Sequence, residues 1–514
     1  MKVKLILLSL LCSLASFGQM QDLMNLSKGE IVYSSILYDS NENLYGYFYL
    51  YQTDKTSSKT MKFEYVVLDK NLNKVNNGEF EGMKEDYLLY SRFDDCTLMG
   101  DKLILDKIYY SQEAIILNTI RIISLKDNNI SNEKRIIDGK FTDFDPITEL
   151  KKIRTKATFS TSYERSFINS YCNEQKSGMF VHSATLYGTS SYSNPSNMNF
   201  YNSELKKDWT IDCIKVDSIG GIYTNFIIKS IHDSIIYAQQ TYTLKKTTYT
   251  KVLAFSIKTG NKIWEYTISG NKDKPKIVRY LNYVPNGKNL FIMGEYYNDK
   301  GIFGSDRGVG FYKIELDSAG HEIQRVNKSW LEMKSDIKIS KKGKTPGSYE
   351  LVLKRVAVLN DQSTLFITEM YHPSSYPIWF IPIIGWFARD PAATKNMILF
   401  HFDKDFNLLK SNTIEKTTTY DNSSDYLFSQ KIKDGDGLAF FYINNKKDAK
   451  TGKRNNVLGI NSFINGTLTT EEIPLSAKKE FQLIPMPAKE GYIMLREYNQ
   501  KAKYNQIRLE KLNY

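Results

Sequence analysis

A repeat constrains this chain more than any other feature. At intervals of about 55 to 77 residues an apolar run closes on a tyrosine, a polar loop follows, and a second alternating run returns. The first runs are YGYFYLY ending at Tyr51, KLILDKIYY at Tyr110, MFVHSATLY at Tyr187, SIIYAQQTY at Tyr242, LFIMGEYY at Tyr297, TLFITEMY at Tyr371, LAFFYINN at Asn445 and YIMLREY at Tyr498. Only the seventh lacks the tyrosine. The returning runs are MKFEYVVLD, TIRIISLKD, NMNFYNSEL, KVLAFSIKTG, GFYKIELDSAG, MILFHFDKDF, NVLGINSFING and YNQIRLEKLNY. Alternation with period two between tight turns is strand patterning, and windows with a helical period are scarce.

The fifth unit shows the plan. Residues 290–326 hold an apolar run ending at Tyr297, a polar loop, an alternating run, an Asp317-Ser318-Ala319-Gly320 turn and the start of a third run. A strand over 277–284 precedes them, joined through Asn286-Gly287, which supplies the positive φ angles a hairpin needs. Four consecutive antiparallel strands of this kind make one propeller blade. The eight pairs of runs predict an all-β chain, a single β-propeller of eight four-stranded blades, with seven blades as the alternative. The last unit stops at Tyr514 one strand short. Residues 21–28 are expected to supply that strand and close the ring, which removes edges that would otherwise template aggregation. A closed ring leaves no internal boundary, so residues 19–514 are expected to form one propeller domain.

Residues 1–18 have the order of a secretory signal peptide: Lys2 and Lys4, an apolar run from Leu5 to Phe17, then Ser16 and Gly18 as small residues at the cleavage site. The apolar run is about 13 residues, short of the roughly 20 that span a bilayer. Bulky Leu11 before Cys12 argues against a lipoprotein. The expected location is the periplasm or the outside of the cell, with no transmembrane segment. Loss of Lys2 and Lys4 lowers the formal charge from +12 to +10. Lysine is spread through the loops rather than clustered, which suits solvated strand edges and gives no nucleic-acid groove. Cys96, Cys172 and Cys213 are too few for a disulfide framework. The core must come from packed strands, in keeping with 13% aromatic residues.

The segment AFSIKTGNKIWEYTISG, Ala254 to Gly270, resembles the blade repeat of quinoprotein-type propellers, in which a Thr-Gly turn is followed by a tryptophan packed between blades. The turns Asp69-Lys-Asn-Leu-Asn and Asp403-Lys-Asp-Phe-Asn lack that tryptophan, so the resemblance carries no quinone and no cofactor is expected. As a whole, the leader and the tyrosine-rich, lysine-rich hairpins resemble secreted propellers of unknown function of the Bacteroidota type. That resemblance implies the fold and the export, and no activity.

Chemical motifs reduce to turns. Asp403, Asp405 and Asn407 open like a calcium loop, but Leu408 and Ile414 stand where glycine and glutamate are needed, so no metal is expected. The histidines His182, His232, His321, His372 and His401 have no paired spacing. Asp143 and Asp145 offer two carboxylates of the type glycoside hydrolysis uses. The recurrent tyrosines are expected to pack between blades with their hydroxyls at a wet rim.

One stretch exceeds what a solvated loop carries. HPSSYPIWFIPIIGWFARDPAATK, His372 to Lys395, replaces the loop between the second and third strands of the sixth unit. In a propeller this loop shares a face with the linkers between blades. Trp379, Phe380, Trp386, Phe387 and Arg389 are thereby expected to gather with Trp330, on the linker 329–344, and with Asp306 and Arg307 of the fifth unit. Tryptophan and arginine dominate interface energetics. The expectation is a non-enzymatic binding or scaffold propeller that recognises an envelope protein or glycan; the alternative is an envelope hydrolase or lyase acting on polysaccharide. The insertion could equally be a plug over the propeller mouth.

Overall fold

The computed structural model describes residues 19–39, 43–84, 90–110, 115–137, 140–156, 162–172, 177–187, 191–192, 197–245, 247–269, 276–297, 308–333, 338–340, 343–373, 392–420, 425–432, 436–447, 454–475 and 481–513. The strands form eight antiparallel sheets, and the sheets form an eight-bladed β-propeller.

Blade 1 is Glu30–Tyr38, Leu44–Lys55, Thr60–Asp69 and Lys74–Met83 in sheet order. Blade 2 is Tyr90–Met99, Lys102–Tyr110, Ile115–Ser124 and Lys134–Ile137, with Lys140–Asp143 added outside. Blade 3 is Ser162–Cys172, Ser177–Tyr187, Asn197–Asn202 and Lys207–Asp212; Ser191–Tyr192 also pairs with the second strand. Blade 4 starts with an extra short strand, Lys215–Val216, followed by Ile222–His232, Ile235–Leu244, Thr247–Ser256 and Lys262–Ser269. Blade 5 is Lys276–Asn286, Asn289–Tyr297, Gly310–Leu316 and Glu322–Ser329, and blade 6 is Glu350–Val358, Thr364–His372, Ala393–Phe402 and Leu408–Ile414. Blade 7 is Tyr426–Ile432, Gly437–Lys447, Arg454–Ile464 and Thr467–Pro474. Blade 8 has Gln482–Pro487, Tyr492–Asn499 and Tyr504–Lys511, and its outer strand is Met20–Asp22.

The amino-terminal strand closes the ring, slightly earlier in the chain than expected. Met20 pairs with Arg508, Gln21 with Ile507 and Asp22 with Gln506. So short a strand needs help. Leu23 is fully buried between blades 8 and 1, and the Tyr51 hydroxyl donates to its carbonyl at 2.8 Å.

The core is divided among the interfaces between blades, because each sheet buries both faces against its neighbours. The cluster between blades 5 and 6, for example, joins Phe291, Met293 and Phe311 to Phe366, Phe400, Phe402 and Phe406. A second device recurs at these interfaces. The turn between third and fourth strands places one residue in the left-handed region, and that residue lies against the preceding blade. In blades 1, 3 and 6 it is Leu72 (φ 65°), Leu205 (φ 63°) and Phe406 (φ 65°), each contributing its own side chain to the interface. In blades 4 and 5 it is Gly260 and Gly320, and the preceding blade fills the space with Trp209 and Trp264. Tryptophan on one blade and a bulky turn residue on the next are thus alternatives for one volume.

The recurrent tyrosines split in their environment. Tyr51 is fully buried; Tyr242 is buried with its hydroxyl on Asp217 at 2.8 Å; Tyr110, Tyr371 and Tyr498 are half-buried. Among the described residues one α-helix, Pro146–Lys156, interrupts the strands. It caps the cluster of Met83, Tyr109, Leu117 and Phe144 with Leu150. Cys96 and Cys213 are buried free thiols. No helix among the described residues is long and apolar enough to cross a membrane. The leader and Cys12 lie outside the described residues.

Candidate functional site

The second strands of blades 2, 4, 5, 6 and 7 each carry a buried polar residue in the half that leads into the loop face. In the structure these residues bond to backbone at the joints between blades, in linkers or at the strands they border. Lys107 Nζ donates to Met83 O at 3.3 Å, and Gln240 Nε2 donates to Cys213 O at 2.7 Å. Glu295 Oε1 accepts from Leu353 N at 3.0 Å, Glu369 Oε1 from Asp425 N at 3.1 Å, and Asn444 Oδ1 from Thr417 N at 3.0 Å. All five side chains are buried. A buried polar group without a partner costs about 1–3 kcal/mol, so each clamp fixes the linker or strand it bonds in one position.

The clamp of blade 6 expands into a charged cluster. The Lys416 ammonium, fully buried, contacts Glu369 Oε1 at 3.1 Å and also pairs with Asp425 Oδ2. Lys354 Nζ reaches Glu369 Oε2 at 3.1 Å, and the Thr394 hydroxyl donates to Asp425 Oδ2 at 2.6 Å. Two carboxylates are therefore balanced by two ammonium groups in one bonded cluster.

This cluster lies beside the two described ends of the apolar insertion. Tyr371 pairs with Thr394 and His372 with Ala393, which brings the two ends of the insertion together. Thr394 then pairs with Thr419 on the linker to blade 7, through two backbone bonds of 2.9 and 3.0 Å. His372 stands edge-on to Tyr349 at 5.8 Å, with Lys395 Nζ 5.7 Å from the same ring.

Of the expected site residues, Trp379, Phe380, Trp386, Phe387, Arg389, Asp306 and Arg307 lie outside the described residues. Trp330 is not part of an exposed patch. It is only 2% exposed, packed edge-on to Phe311 at 4.9 Å, with its indole N–H donating to Gly308 O at 2.5 Å. The turn at Ser329 folds the indole inward because the linker runs directly over the joint between blades 5 and 6, where a large apolar group gains most from burial.

The acid pair and the calcium-like loop both resolve into local structure. Asp143 pairs with Lys134 at 2.6 Å, a bond that holds its carboxyl below the usual range. Asp145 caps the helix, accepting from Ile147 N at 3.0 Å and from the Thr148 hydroxyl at 2.6 Å. Asp403 accepts from Asn407 N at 2.7 Å and Asn407 Nδ2 at 3.2 Å, which is a turn. Among the described residues no group of acids, histidines and cysteines could hold a metal ion.

The strand clamps were overlooked in the sequence. Their signal was present: a Lys, Gln or Glu inside LILDKIYY, IIYAQQTY, FIMGEYY and LFITEMY, two or three residues before the last tyrosine.

No curated protein matches the sequence. Solved structures resemble the chain only at great distance. Polysaccharide lyase Uly1 is 8% identical, with 96% of this chain and 99% of that one covered and a TM-score of 0.39. Prolyl oligopeptidase B from Galerina marginata is 9% identical with a TM-score of 0.32; 91% of this chain is covered but 55% of that enzyme. The propeller domain of the Trilobed protease from Pyrococcus furiosus is 10% identical, covering 82% and 96%, with a TM-score of 0.31. Likenesses this remote bear on neither substrate nor activity. A family model, by contrast, matches residues 1–513, so the chain belongs to the Family of unknown function (DUF6770).

Proposed function

We propose that this chain is a non-enzymatic binding or scaffold propeller that works at the cell envelope, exported by its amino-terminal leader. Its partner is an envelope protein or glycan held by the loop face over blades 5 and 6. The residues that hold it are Trp379, Phe380, Trp386, Phe387 and Arg389, with Asp306 and Arg307 beside them. The observation that carries this reading is the state of Glu369 and Asp425 beneath that face. A polysaccharide hydrolase needs a carboxyl that can donate a proton and a carboxylate that can act as base or nucleophile, both open to substrate. Glu369 and Asp425 are buried, matched to Lys354 and Lys416, and bonded to Thr394 and the linker backbone. They anchor the face and leave recognition to the side chains above it.

Aromatic rings suit both the apolar faces of sugars and the centre of a protein interface. The test is the double variant Trp379→Ser/Trp386→Ser, assayed on a glycan array and by cross-linking to isolated envelope proteins. The expected result is loss of capture with unchanged melting. A variant that melts well below the wild type and still binds identifies the insertion as a plug and removes the site.

A further inference from the structure

Blade 4 is built differently from the others on the same loop face. Its extra strand pairs Lys215 with Tyr223 and Val216 with Ile222, on the inner edge of the sheet. The hairpin that results is locked. Asp217 Oδ1 accepts from Ile219 N at 3.1 Å and Gly221 N at 2.7 Å, while Oδ2 accepts from the Tyr242 hydroxyl at 2.8 Å. Gly221 lies so close to Tyr242 that a Cβ would stand 2.1 Å from the hydroxyl oxygen. On this fixed support four β-branched aliphatic side chains face water: Ile214 is 41% exposed, Val216 66%, Ile219 67% and Ile222 43%. Single exposed apolar residues are ordinary, but four on one hairpin form a patch. Lys215 on the hairpin and Lys245, in the turn between the second and third strands of the blade, are also exposed.

We propose that this hairpin docks on a lipid surface, with Val216 and Ile219 entering the acyl boundary and Lys215 and Lys245 at the level of anionic headgroups. Composition decides between lipid and protein. Protein interfaces are anchored by tryptophan, tyrosine and arginine, with valine under-represented, whereas this patch is wholly aliphatic. Hydrocarbon accepts branched aliphatics without a complementary pocket, and a hairpin already ordered loses little freedom on docking. The formal charge of the chain, +10 without Lys2 and Lys4, and the two lysines complement anionic headgroups. Asp217 does not oppose this, since its carboxylate is turned onto Tyr242.

The experiment is co-sedimentation of the full chain with vesicles of phosphatidylethanolamine and phosphatidylglycerol, and with vesicles of phosphatidylcholine alone. The wild type is expected to partition onto the anionic vesicles and to be released by salt. Val216→Asp/Ile219→Asp is expected to bind at least about tenfold more weakly with unchanged melting. Should that variant melt lower, Val216→Ser/Ile219→Ser gives the same comparison. Lys215→Glu/Lys245→Glu is expected to weaken binding to anionic vesicles alone. Wild-type protein that stays in the supernatant, or hairpin variants that bind as well as wild type, overturn the proposal. So does a vesicle-free dimer, seen by light scattering, that the hairpin variants dissociate, because a second copy would then be the occupant. Trp379→Ser/Trp386→Ser is expected to leave vesicle binding intact, which separates this surface from the one over blades 5 and 6.

Discussion

Trp264, on the outer strand of blade 4, stands against Gly320 in the turn of blade 5 so closely that a Cβ there would fall 2.6 Å from the indole. Gly320 also has φ +83°, so two separate costs meet at one atom. Gly466 offers the control: its φ is +77°, with nothing within 4 Å. Gly466→Ala is expected to cost about 1 kcal/mol, for backbone strain alone. Gly320→Ala adds displacement of the indole, an overpacking penalty of about 1–3 kcal/mol more. Thermal melting of the two variants checks this, and equal losses would mean that Trp264 moves freely.

The buried cluster of Glu369, Asp425, Lys354 and Lys416 makes a second prediction. Lys416→Met removes the one cation shared by Glu369 and Asp425 and leaves both carboxylates in a site without solvent. The expected loss is about 3–5 kcal/mol by chemical denaturation, the usual cost of stripping one partner from a buried ion pair. Adding Glu369→Gln and Asp425→Asn to that variant is expected to return part of the loss. At the exposed pair of Lys62 and Glu79, 2.6 Å apart, Lys62→Met is expected to leave melting unchanged.

Ring closure depends on few atoms. Leu23→Ala opens a cavity between blades 8 and 1 and is expected to cost about 2–5 kcal/mol. Tyr51→Phe, which deletes the bond to Leu23 O, is expected to cost about 1 kcal/mol. Hydrogen exchange is the sharper readout: protection should fall first in Tyr504–Lys511 and Leu44–Lys55, on the two sides of the seam. Uniform loss around the ring would show that the seam is no weaker than the other joints.

His401 gives a pH dependence. Burial lowers its pKa below the ordinary 6.5, and the ring packs edge-on to Phe463 at 4.9 Å. The folded chain holds it neutral while the unfolded chain protonates it near 6.5, so its contribution is present above that pH and is lost as pH falls toward the depressed folded value. His401→Phe is expected to flatten the decline in melting temperature below pH 6.5 while leaving higher pH little changed. An unaltered decline would place the titrating group elsewhere.

The fold was legible because its signal is periodic. Runs ending in tyrosine marked the second strands, and the missing strand after Tyr504–Lys511 pointed to the amino terminus. Local chemistry was harder to rank. Asp145-Pro146 is a helix cap followed by a first-turn proline, yet beside Asp143 it also reads as an acid pair, and only the bonds to Ile147 and Thr148 decide. Trp330 was misplaced for a related reason. A tryptophan on a linker has the composition of an interface, while its burial depends on the crossing of that linker over the joint between blades 5 and 6. The extra strand of blade 4 leaves no trace in periodicity because it is two residues long.

The loop face is proposed to bind its partner without turning it over. The most direct measurement is incubation of the full chain with a panel of neutral and acidic polysaccharides, following new reducing ends and unsaturated uronic ends while stoichiometric binding is measured in parallel. No turnover is expected with any of them, and binding, where it occurs, is expected to depend on Trp379 and Trp386. Turnover abolished by Glu369→Gln or Asp425→Asn at unchanged melting would contradict it, and would make the buried pair catalytic.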